Sequence, residues 1–383
     1  METEVLPETI YDVPTPAFLV DLERTKKNCS RMRERCWKLG VELRPHQKTH
    51  KTVEGGDLQT DGTRRKIVVS TLEEADFFSK NGFDDILYAY PITASKIQKC
   101  KEISAKCEQF HLMYDNLESL KALQNSPPGN GRAWSVFLEV DIGGDRTGIP
   151  WDDDRIISFA REAVNLSNID FQGLYSHDGN SYSCTQGKNN KQGALEEWGQ
   201  TASSRIVETQ RRLKEHGIEC RTFGVGSTPT CSVPDGSLSS LTEFHPGNYI
   251  FYDYMQYLIG SCEESDIACR VATRVVCHKE EQNRMYIDCG FLGVSHDGLY
   301  NGPEQSGMAK FIGHDELKFI GMTQELGFVS TNDGSKLDYQ KYPLDSMLFF
   351  YPWHSCATAA NHSVYYIHSG DKIVGKWRPT RGW

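Results

Sequence analysis

The chain of 383 residues contains no run of about 20 consecutive apolar residues, which is the length that a membrane-spanning helix requires. Its first residues, METEVLPETIYDVP, lack the basic-then-apolar order of a secretory signal peptide. The formal net charge of −10 also argues against nucleic-acid binding, which needs a clustered basic face. We therefore expect a cytoplasmic protein that binds neither a membrane nor a nucleic acid.

The sequence has no internal repeat and no low-complexity tract. Hydrophobic residues make up 38% and charged residues 25%, a balance typical of globular rather than disordered proteins. The twelve cysteines follow no repeating spacing, so we interpret them as reduced thiols and most of them as small core residues. Only Cys356 has a neighbourhood that indicates chemistry.

Apolar segments of strand length alternate with amphipathic helical patterns between about residue 40 and about residue 250, as in a parallel sheet built from βα units. The predicted strands are residues 42–46, 66–71, 85–91, 110–115, 134–141, 171–177, 221–226 and 243–250. Residues 193–216 form a long helical pattern that Gly217 ends. The count of eight favours a closed (β/α)₈ TIM barrel over an open doubly wound sheet, which shows the same alternation.

The pattern changes after about residue 258 to short alternating segments without long helices between them, which is typical of an antiparallel β domain. These segments are residues 270–277, 284–288, 347–351 and 363–368. Residues 16–21 form a further strand that could join the same sheet. We predict an α/β fold: a barrel domain over residues 22–257 and an appended C-terminal antiparallel β domain over residues 258–383, with residues 1–21.

The segment after the first predicted strand is rich in cations and reads RPHQKTHK. In a barrel of this type the chemistry lies at the C-terminal ends of the strands. A lysine there, such as Lys48, can form an imine with a carbonyl cofactor, and neighbouring positive charges favour its neutral amine. The alternative is that Lys48 and Lys51 are ordinary surface charges.

One glycine-containing turn ends the seventh predicted strand, and a second one breaks the eighth. The first is Gly224-Val225-Gly226-Ser227-Thr228, and the second is His245-Pro246-Gly247-Asn248. Glycines let the backbone approach an anion closely, and a barrel phosphate site is often formed after these two strands. Either turn alone is also common in plain loops, but the two together predict a phosphate site.

Two further polar residues follow predicted strands. Arg146 stands in a glycine-rich loop after the fifth strand, where it could donate to a cofactor oxygen or pair with Asp141 or Asp145. His177 ends the sixth strand and could lie against a planar ring or be an ordinary core histidine.

The order of these motifs resembles the alanine-racemase-type fold of pyridoxal-phosphate enzymes, and more closely the group of eukaryotic D-serine dehydratases and D-threonine aldolases. The motifs are RPHQKTHK, STLEEA, EVDIGGDRTGI, GLYSHDGN, GVGSTPT and HPGNYIFYD. The resemblance covers nearly the whole chain from Pro14. It implies that Lys48 is the Schiff-base lysine and that Arg146 approaches the ring hydroxyl. It also implies further cofactor-binding residues, namely Tyr175, His177, Gly226, Ser227, Thr228, His245, Gly247 and Asn248.

The sequence departs from the alanine racemases at one position of this set. Racemases carry an arginine before the Pro-Gly of the eighth strand, where it meets the pyridine nitrogen, whereas this chain has His245. The partner of the ring nitrogen therefore stays open, and an electron sink tuned differently from that of a racemase is indicated.

The segment Pro352-Trp353-His354-Ser355-Cys356 is the other informative motif. Imidazole and thiolate are suitable zinc ligands, although two residues are a weak signal and a buried cysteine beside an ordinary histidine is the alternative. D-serine dehydratases resemble this chain in having His-x-Cys, whereas D-threonine aldolases tend to have His-x-Asp. The resemblance implies a zinc site at His354 and Cys356 with positions open for substrate.

The function that this resemblance implies is a pyridoxal-phosphate- and zinc-dependent β-elimination that converts D-serine to pyruvate and ammonia, in a homodimer. One alternative is a D-threonine aldolase, which would release glycine and an aldehyde. Another is a non-catalytic pyridoxal-phosphate carrier, but such carriers resemble only the barrel. An amino-acid racemase would need a second acid/base group, and no tyrosine of the chain can be assigned to that role.

Overall fold

The computed structural model describes residues 5–129, 131–298 and 308–383, so parts of both predicted domains lie outside the described residues. The chain forms two compact units. The barrel unit holds the described residues of Cys29–Tyr249, Ile259–Ser261 and Thr380–Trp383, and the β unit those of Met1–Asn28, Ile250–Leu258 and Cys262–Pro379. Within the described ranges, no helix is both long and apolar enough to cross a membrane.

Among the described residues, eight parallel strands form the barrel, and a further short strand, Ile149–Pro150, pairs with the fifth of them. Barrel strands one to eight are Glu42–Leu43, Ile67–Val69, Asp85–Pro91, Gln109–Tyr114, Trp134–Asp141, Ile169–His177, Thr222–Gly226 and Glu243–Phe244. From the second strand onward, each pairs in parallel with the next. The eighth pairs with the first, and a parallel bridge between His46 and Val68 joins the first strand segment to the second. The pairing therefore runs through all eight strands, and the predicted TIM-type barrel is confirmed.

One helix precedes the first barrel strand and others connect the later strands, and four of these helices have a side-chain N-cap, at Thr52, Thr71, Asn116 and Asn190. The helices are Leu22–Leu39, Val53–Thr60, Leu72–Lys80, Ile97–Ser104, Leu117–Gln124, Arg155–Asn165, Lys191–Glu215 and Thr228–Ser232. At the start of Leu72–Lys80, the Thr71 hydroxyl accepts a bond of 3.1 Å from the Glu74 amide, as an N-cap does. The long helix lies close to the pattern predicted for it, and Gly217 follows it with a φ of +75°.

The apolar core of the barrel takes one residue from each of five consecutive strands, the second to the sixth. These residues are Val68, Leu87, Met113, Phe137 and Tyr175. All five are buried, as expected for side chains that fill a small barrel in layers. The interior is thus a packed core, and the chemistry is left to the strand ends.

The eighth predicted strand is shorter than the sequence pattern indicates. The prediction was residues 243–250, but only Glu243–Phe244 pairs as a strand and Asn248–Ile250 forms a 3₁₀ turn. Pro246 explains the difference because it has no backbone N–H to donate to a neighbouring strand. The apolar residues after it are buried without being part of the sheet.

The β unit is built on a mostly antiparallel sheet, as predicted. Its strands are Ala17–Asp21, Cys269–Lys279, Arg284–Ile287, Ala309–Phe311, Leu317–Met322, Gly327–Thr331, Met347–Pro352, Tyr365–Ser369 and Lys372–Trp377. Its short α-helices are Tyr254–Leu258, Phe291–Val294 and Ser355–Ala360. The strand Ala17–Asp21 lies inside the sheet, antiparallel to Cys269–Lys279 and parallel to Tyr365–Ser369.

Candidate active site

Lys48 lies in a single 3₁₀ turn, Gln47–Thr49, directly after the first barrel strand. The Nδ1 atom of His46 accepts a hydrogen bond of 3.3 Å from the Lys48 amide and so caps this turn. The Pro45 carbonyl accepts a bond of 3.0 Å from the Val68 amide, which ties the segment to the second strand. The half-buried side chain of Lys48 therefore starts from a fixed backbone position at the mouth of the barrel.

Two histidines and two cations come together at the strand ends. Burial, and then the positive charge of Lys48, lowers the pKa of His46 well below its usual range, with a smaller contribution from Arg146. The same causes, in the same order, lower the pKa of His177 to about 3. Both histidines are thus neutral at physiological pH beside the amine of Lys48 and the guanidinium of Arg146. This combination suits an anionic ligand.

His245 lies buried against the ring of Tyr175, with ring centroids 4.5 Å apart and an interplanar angle of 28°. Burial lowers the pKa of His245 to about 4, although the Glu243 carboxylate, 3.5 Å from Nδ1, acts in the opposite direction. Within the described part of the chain, neither ring nitrogen of His245 has a hydrogen-bond partner. A buried polar ring without partners is costly, and a ligand that bonds to it would remove that cost.

The two glycine turns predicted to bind phosphate are neighbours. A Cβ atom at Gly226 would lie 2.6 Å from the Cβ of His245, and one at Gly247 would lie 2.8 Å from the His46 carbonyl oxygen. The Tyr249 amide donates a bond of 3.3 Å to the Thr228 hydroxyl, which links the turn after strand seven to the turn after strand eight. Only glycine permits this close approach of the two turns.

Asp178 supports the seventh-strand turn, although the sequence patterns did not single it out. Its buried carboxylate accepts hydrogen bonds from Ser227 at 3.1 Å and from Thr230 and Trp198. Ser181 in turn donates to the Ser227 hydroxyl at 2.8 Å. Burial raises the pKa of Asp178, and these bonds oppose that rise. Hydrogen bonds to Asp178 and Ser181 thus fix the Ser227 side chain.

A buried ion-pair network lies in the barrel unit and was also missed by the sequence analysis. Arg44 donates from Nε to Glu243 at 2.9 Å and from Nη1 to Asp85 at 2.6 Å. Asp85 also lies 3.3 Å from Nε2 of His111, whose Nδ1 lies 2.6 Å from the Ser135 hydroxyl. Charged residues inside short apolar strands were the available signal, because such residues are seldom fully buried unless they are paired.

Replacement of Arg44 by methionine should lower the free energy of unfolding by about 3–5 kcal/mol, because it leaves the buried carboxylates of Asp85 and Glu243 without their cation. Urea denaturation of the purified variant measures this change. Arg65→Met is the matched control: Arg65 pairs with Glu108 at the surface, and we expect a loss below about 1 kcal/mol. Equal losses in the two variants would contradict a structural role of the network.

His354 and Cys356 lie together in the β unit, where the strand Met347–Pro352 gives way to the helix Ser355–Ala360. Their side chains share a hydrogen bond, and Nδ1 of His354 lies 2.6 Å from a carboxylate oxygen of Asp297. Burial lowers the pKa of His354, but Cys356, Asp297 and Asp253 together hold it well above its usual value. Imidazole and thiol thus face each other with a carboxylate behind the imidazole.

The imidazole of His354 and the thiol of Cys356 are donor types that suit zinc. Asp297 engages Nδ1 and so leaves Nε2 for a metal, as in the carboxylate–histidine–zinc arrangement of many zinc proteins. Across residues 5–129, 131–298 and 308–383, no group of three or more His, Cys, Asp or Glu side chains is placed to hold a metal. A zinc ion on two protein ligands would keep positions open.

Comparison with known proteins connects both units to described families. Residues 20–255 match the model of the alanine racemase N-terminal domain, and residues 268–368 match a model described as "Putative serine dehydratase domain". A D-serine dehydratase from Dictyostelium discoideum is 35% identical, and the alignment covers 98% of this chain and 99% of that protein. The chain belongs to the alanine racemase N-terminal domain family, in the group that contains the D-serine dehydratases. Membership confirms the predicted resemblance and makes the chain a pyridoxal-phosphate-dependent lyase.

Solved structures show the same fold. D-threo-3-hydroxyaspartate dehydratase from Delftia sp. HT23 superposes with a TM-score of 0.91 at 28% identity, with 98% of this chain and 100% of that chain covered. A cysteine-to-alanine variant of the same dehydratase, described as the metal-free form, superposes with a TM-score of 0.90 at 28% identity, with 98% of this chain and 100% of that chain covered. The alanine-racemase-type fold therefore extends over almost the full length of this family member.

The barrel-unit residues fit pyridoxal phosphate. Lys48 is the primary amine, two neighbouring glycine turns admit a close approach of backbone to an anion, and His245 offers buried ring nitrogens. Arg146 adds a second positive charge beside Lys48 and His177. The chemistry of these groups matches an anionic aromatic aldehyde.

Proposed function

We propose that this family member is a D-serine dehydratase that uses pyridoxal phosphate and zinc to form pyruvate and ammonia. The observation that carries the proposal is the placement of Lys48 at a barrel strand end beside Arg146 and two neutral histidines. A full-length relative that is named a D-serine dehydratase supports the choice of substrate.

In this proposal Lys48 holds the cofactor and Arg146 donates to its ring oxygen. The residues that would hold the phosphate are those of the two glycine turns: Gly226, Ser227, Thr228, Gly247 and Asn248. Tyr175, His177 and His245 would line the ring, and His245 stands where the racemases carry the arginine that meets the pyridine nitrogen. A neutral His245 would supply no cation to the ring nitrogen of a bound cofactor from this position, which fits a reaction other than racemisation.

Bound pyridoxal phosphate supplies the electron sink that stabilises negative charge at the α-carbon of the substrate. The amine of Lys48 takes the α-proton as a general base. The β-hydroxyl leaves, so the elimination removes one molecule of water in total. Hydrolysis of the released product adds one molecule of water and gives pyruvate and ammonia. The lowered pKa values of His46 and His177 make both imidazoles weak bases, so they do not compete with Lys48 for the α-proton.

The proposed metal ligands are His354 and Cys356. A bound zinc ion would supply a Lewis acid for the departing hydroxyl, which is otherwise a poor leaving group. A solved cysteine-to-alanine variant of D-threo-3-hydroxyaspartate dehydratase is described as the metal-free form, and this description supports a cysteine ligand in this group. Asp297 would hold the imidazole of His354 in the tautomer that a metal requires.

A second candidate substrate is D-threo-3-hydroxyaspartate, which the high structural similarity to the Delftia dehydratase favours. It would undergo the same elimination, but its additional carboxylate needs a cationic partner. A D-threonine aldolase would instead break the bond between the α- and β-carbons, and a carrier would bind the cofactor without turnover.

The test is a substrate panel with the purified, cofactor-loaded protein. D-serine should give pyruvate and ammonia in equal amounts, with a kcat/KM at least about tenfold above that for D-threo-3-hydroxyaspartate, a difference of about 1.4 kcal/mol in transition-state stabilisation. D-threonine should give no glycine. Glycine from D-threonine would favour the aldolase, and bound cofactor with no product from any substrate would favour the carrier.

The homodimer and the cytoplasmic location stay predictions. Light scattering of the purified chain in solution decides between monomer and dimer, and imaging of a fluorescent fusion decides the location.

A further inference from the structure

The loop of residues 142–148, which carries Arg146, is held by three carboxylates from the strand ends. Asp141 accepts bonds of 2.8 Å from the amides of Gly143 and Gly144. The Asp115 carboxylate accepts a longer bond of 3.4 Å from the Gly148 amide. Glu139 accepts a bond of 2.8 Å from the Thr147 hydroxyl. The position of Arg146 therefore depends on the residues beneath its loop.

Glu139 is the most buried of these three carboxylates, with 4% of its surface exposed. One oxygen accepts from Thr147, whereas the other, Oε2, has no hydrogen-bond partner within the described residues. The loop packs directly on it, since a Cβ atom at Gly148 would lie 3.0 Å from the Glu139 Cγ. Gly148 also has a φ of +97°, which disfavours any side chain at this contact.

Charged and titratable groups face Glu139 from each neighbouring element. They are Asp141 on its own strand, Asp115 after the fourth strand, Arg146 in the loop and Tyr175 on the sixth strand. The pKa of Glu139 is raised to about 7, mainly by burial. The negative charges of Asp115 and Asp141 also raise this pKa, whereas the Thr147 hydrogen bond and the positive charge of Arg146 lower it. Near neutral pH, a large fraction of the molecules thus carries a proton on Glu139.

We propose that Glu139 is a positioning residue for Arg146: it anchors the loop through Thr147, and in its protonated form it leaves the positive charge of Arg146 available to the anionic cofactor. This inference rests on the proposed role of Arg146 in the cofactor site. An ionised Glu139 would instead compete with the cofactor for the same cation.

A pH dependence of cofactor binding follows. Glu139 loses its proton as the pH rises through about 7, so the affinity for pyridoxal phosphate should fall across this range. The neighbouring histidines do not contribute, because the pKa values of His177 and His245 lie at about 3 and about 4. The cofactor phosphate, with a second pKa of about 6, gains charge with rising pH and acts in the opposite direction.

The experiment titrates the cofactor-free protein with pyridoxal phosphate between about pH 6 and about pH 8, followed by the absorbance of the bound cofactor. Glu139→Gln keeps an acceptor oxygen for Thr147, so the affinity of this variant for pyridoxal phosphate should match that of the wild type within about twofold at low pH. At higher pH, the affinity of the variant should not decrease. Thr147→Val removes the anchoring bond and should weaken binding about fivefold at every pH, as expected for one hydrogen bond of about 1 kcal/mol. Glu118→Gln, an exposed helix residue, is the matched control and should follow the wild type.

Infrared spectroscopy of the cofactor-free protein gives a second readout. The wild type should show a protonated carboxyl band that disappears as the pH rises through about 7 and that is absent from Glu139→Gln. A Glu139→Gln curve that keeps the wild-type fall in affinity, or the absence of such a band, would overturn the inference. Neither readout uses D-serine turnover, so a failed dehydratase assay would leave this result standing.

Discussion

Replacement of Lys48 by alanine is expected to lower kcat/KM for D-serine by at least about 10³-fold, since the variant loses both the attachment point of the cofactor and the proposed general base. The fold should persist, because Lys48 is half-buried in a short turn whose backbone is held by other contacts: the Lys48 amide donates to His46 Nδ1, and the Val68 amide donates to the Pro45 carbonyl. Steady-state kinetics and circular dichroism measure the two expectations together.

Borohydride reduction of the loaded protein followed by peptide mass analysis locates the attachment point. The label should lie on Lys48 in the wild type and be absent from Lys48→Ala. Lys51→Ala is the matched control, because Lys51 lies three residues further on and pairs with Glu74 at 2.9 Å. It should keep the label and most of the activity, and a label on Lys51 in the wild type would refute the assignment.

Replacement of Cys356 by alanine is expected to remove bound zinc and to lower kcat for D-serine by at least about 10²-fold, while the affinity for pyridoxal phosphate changes little. The reason is that Cys356 is one of two proposed metal ligands, whereas the proposed cofactor residues all belong to the barrel unit. Metal analysis by mass spectrometry and a cofactor titration separate the two effects.

Two further variants test the assignment of Cys356 as a metal ligand. Asp297→Asn keeps both ligands but weakens the hold on His354, so zinc affinity should fall by about 10–100-fold. Cys277→Ala changes another half-buried thiol of the β unit and should keep both zinc and activity. Full activity of a metal-free Cys356→Ala protein would rule out the proposed role of the metal.

The barrel was predictable because each strand and each helix has its own local hydrophobic pattern. These patterns alternate along the chain from about residue 40 to about residue 250. The count of eight was sufficient to choose the closed form, and the pairing of Glu243–Phe244 with Glu42–Leu43 confirms it. The extent of the eighth strand was not predictable from hydrophobicity alone. The apolar residues that follow Pro246 are buried in either case, so the pattern did not distinguish a strand from a buried turn.

Candidate site residues could be proposed from the sequence where a residue follows a strand in a recognisable motif, as Lys48 and Arg146 do. The supporting residues were harder to identify because their partners lie far away in sequence. Glu139 and Asp178 show no local signal beyond being charged residues in or next to apolar strands, and their importance is visible only once Thr147 and Ser227 are placed against them. Asp297 was equally hard to identify, because its carboxylate contacts His354, which lies 57 residues away in the sequence.

The most direct measurement of the proposed metal-assisted elimination is pyruvate release from D-serine by the cofactor-loaded protein, before and after treatment with a zinc chelator. We expect chelation to abolish pyruvate release and added zinc to restore it. The absorbance of the bound cofactor should stay unchanged throughout. Undiminished pyruvate release from protein shown to be free of metal would contradict the proposed mechanism.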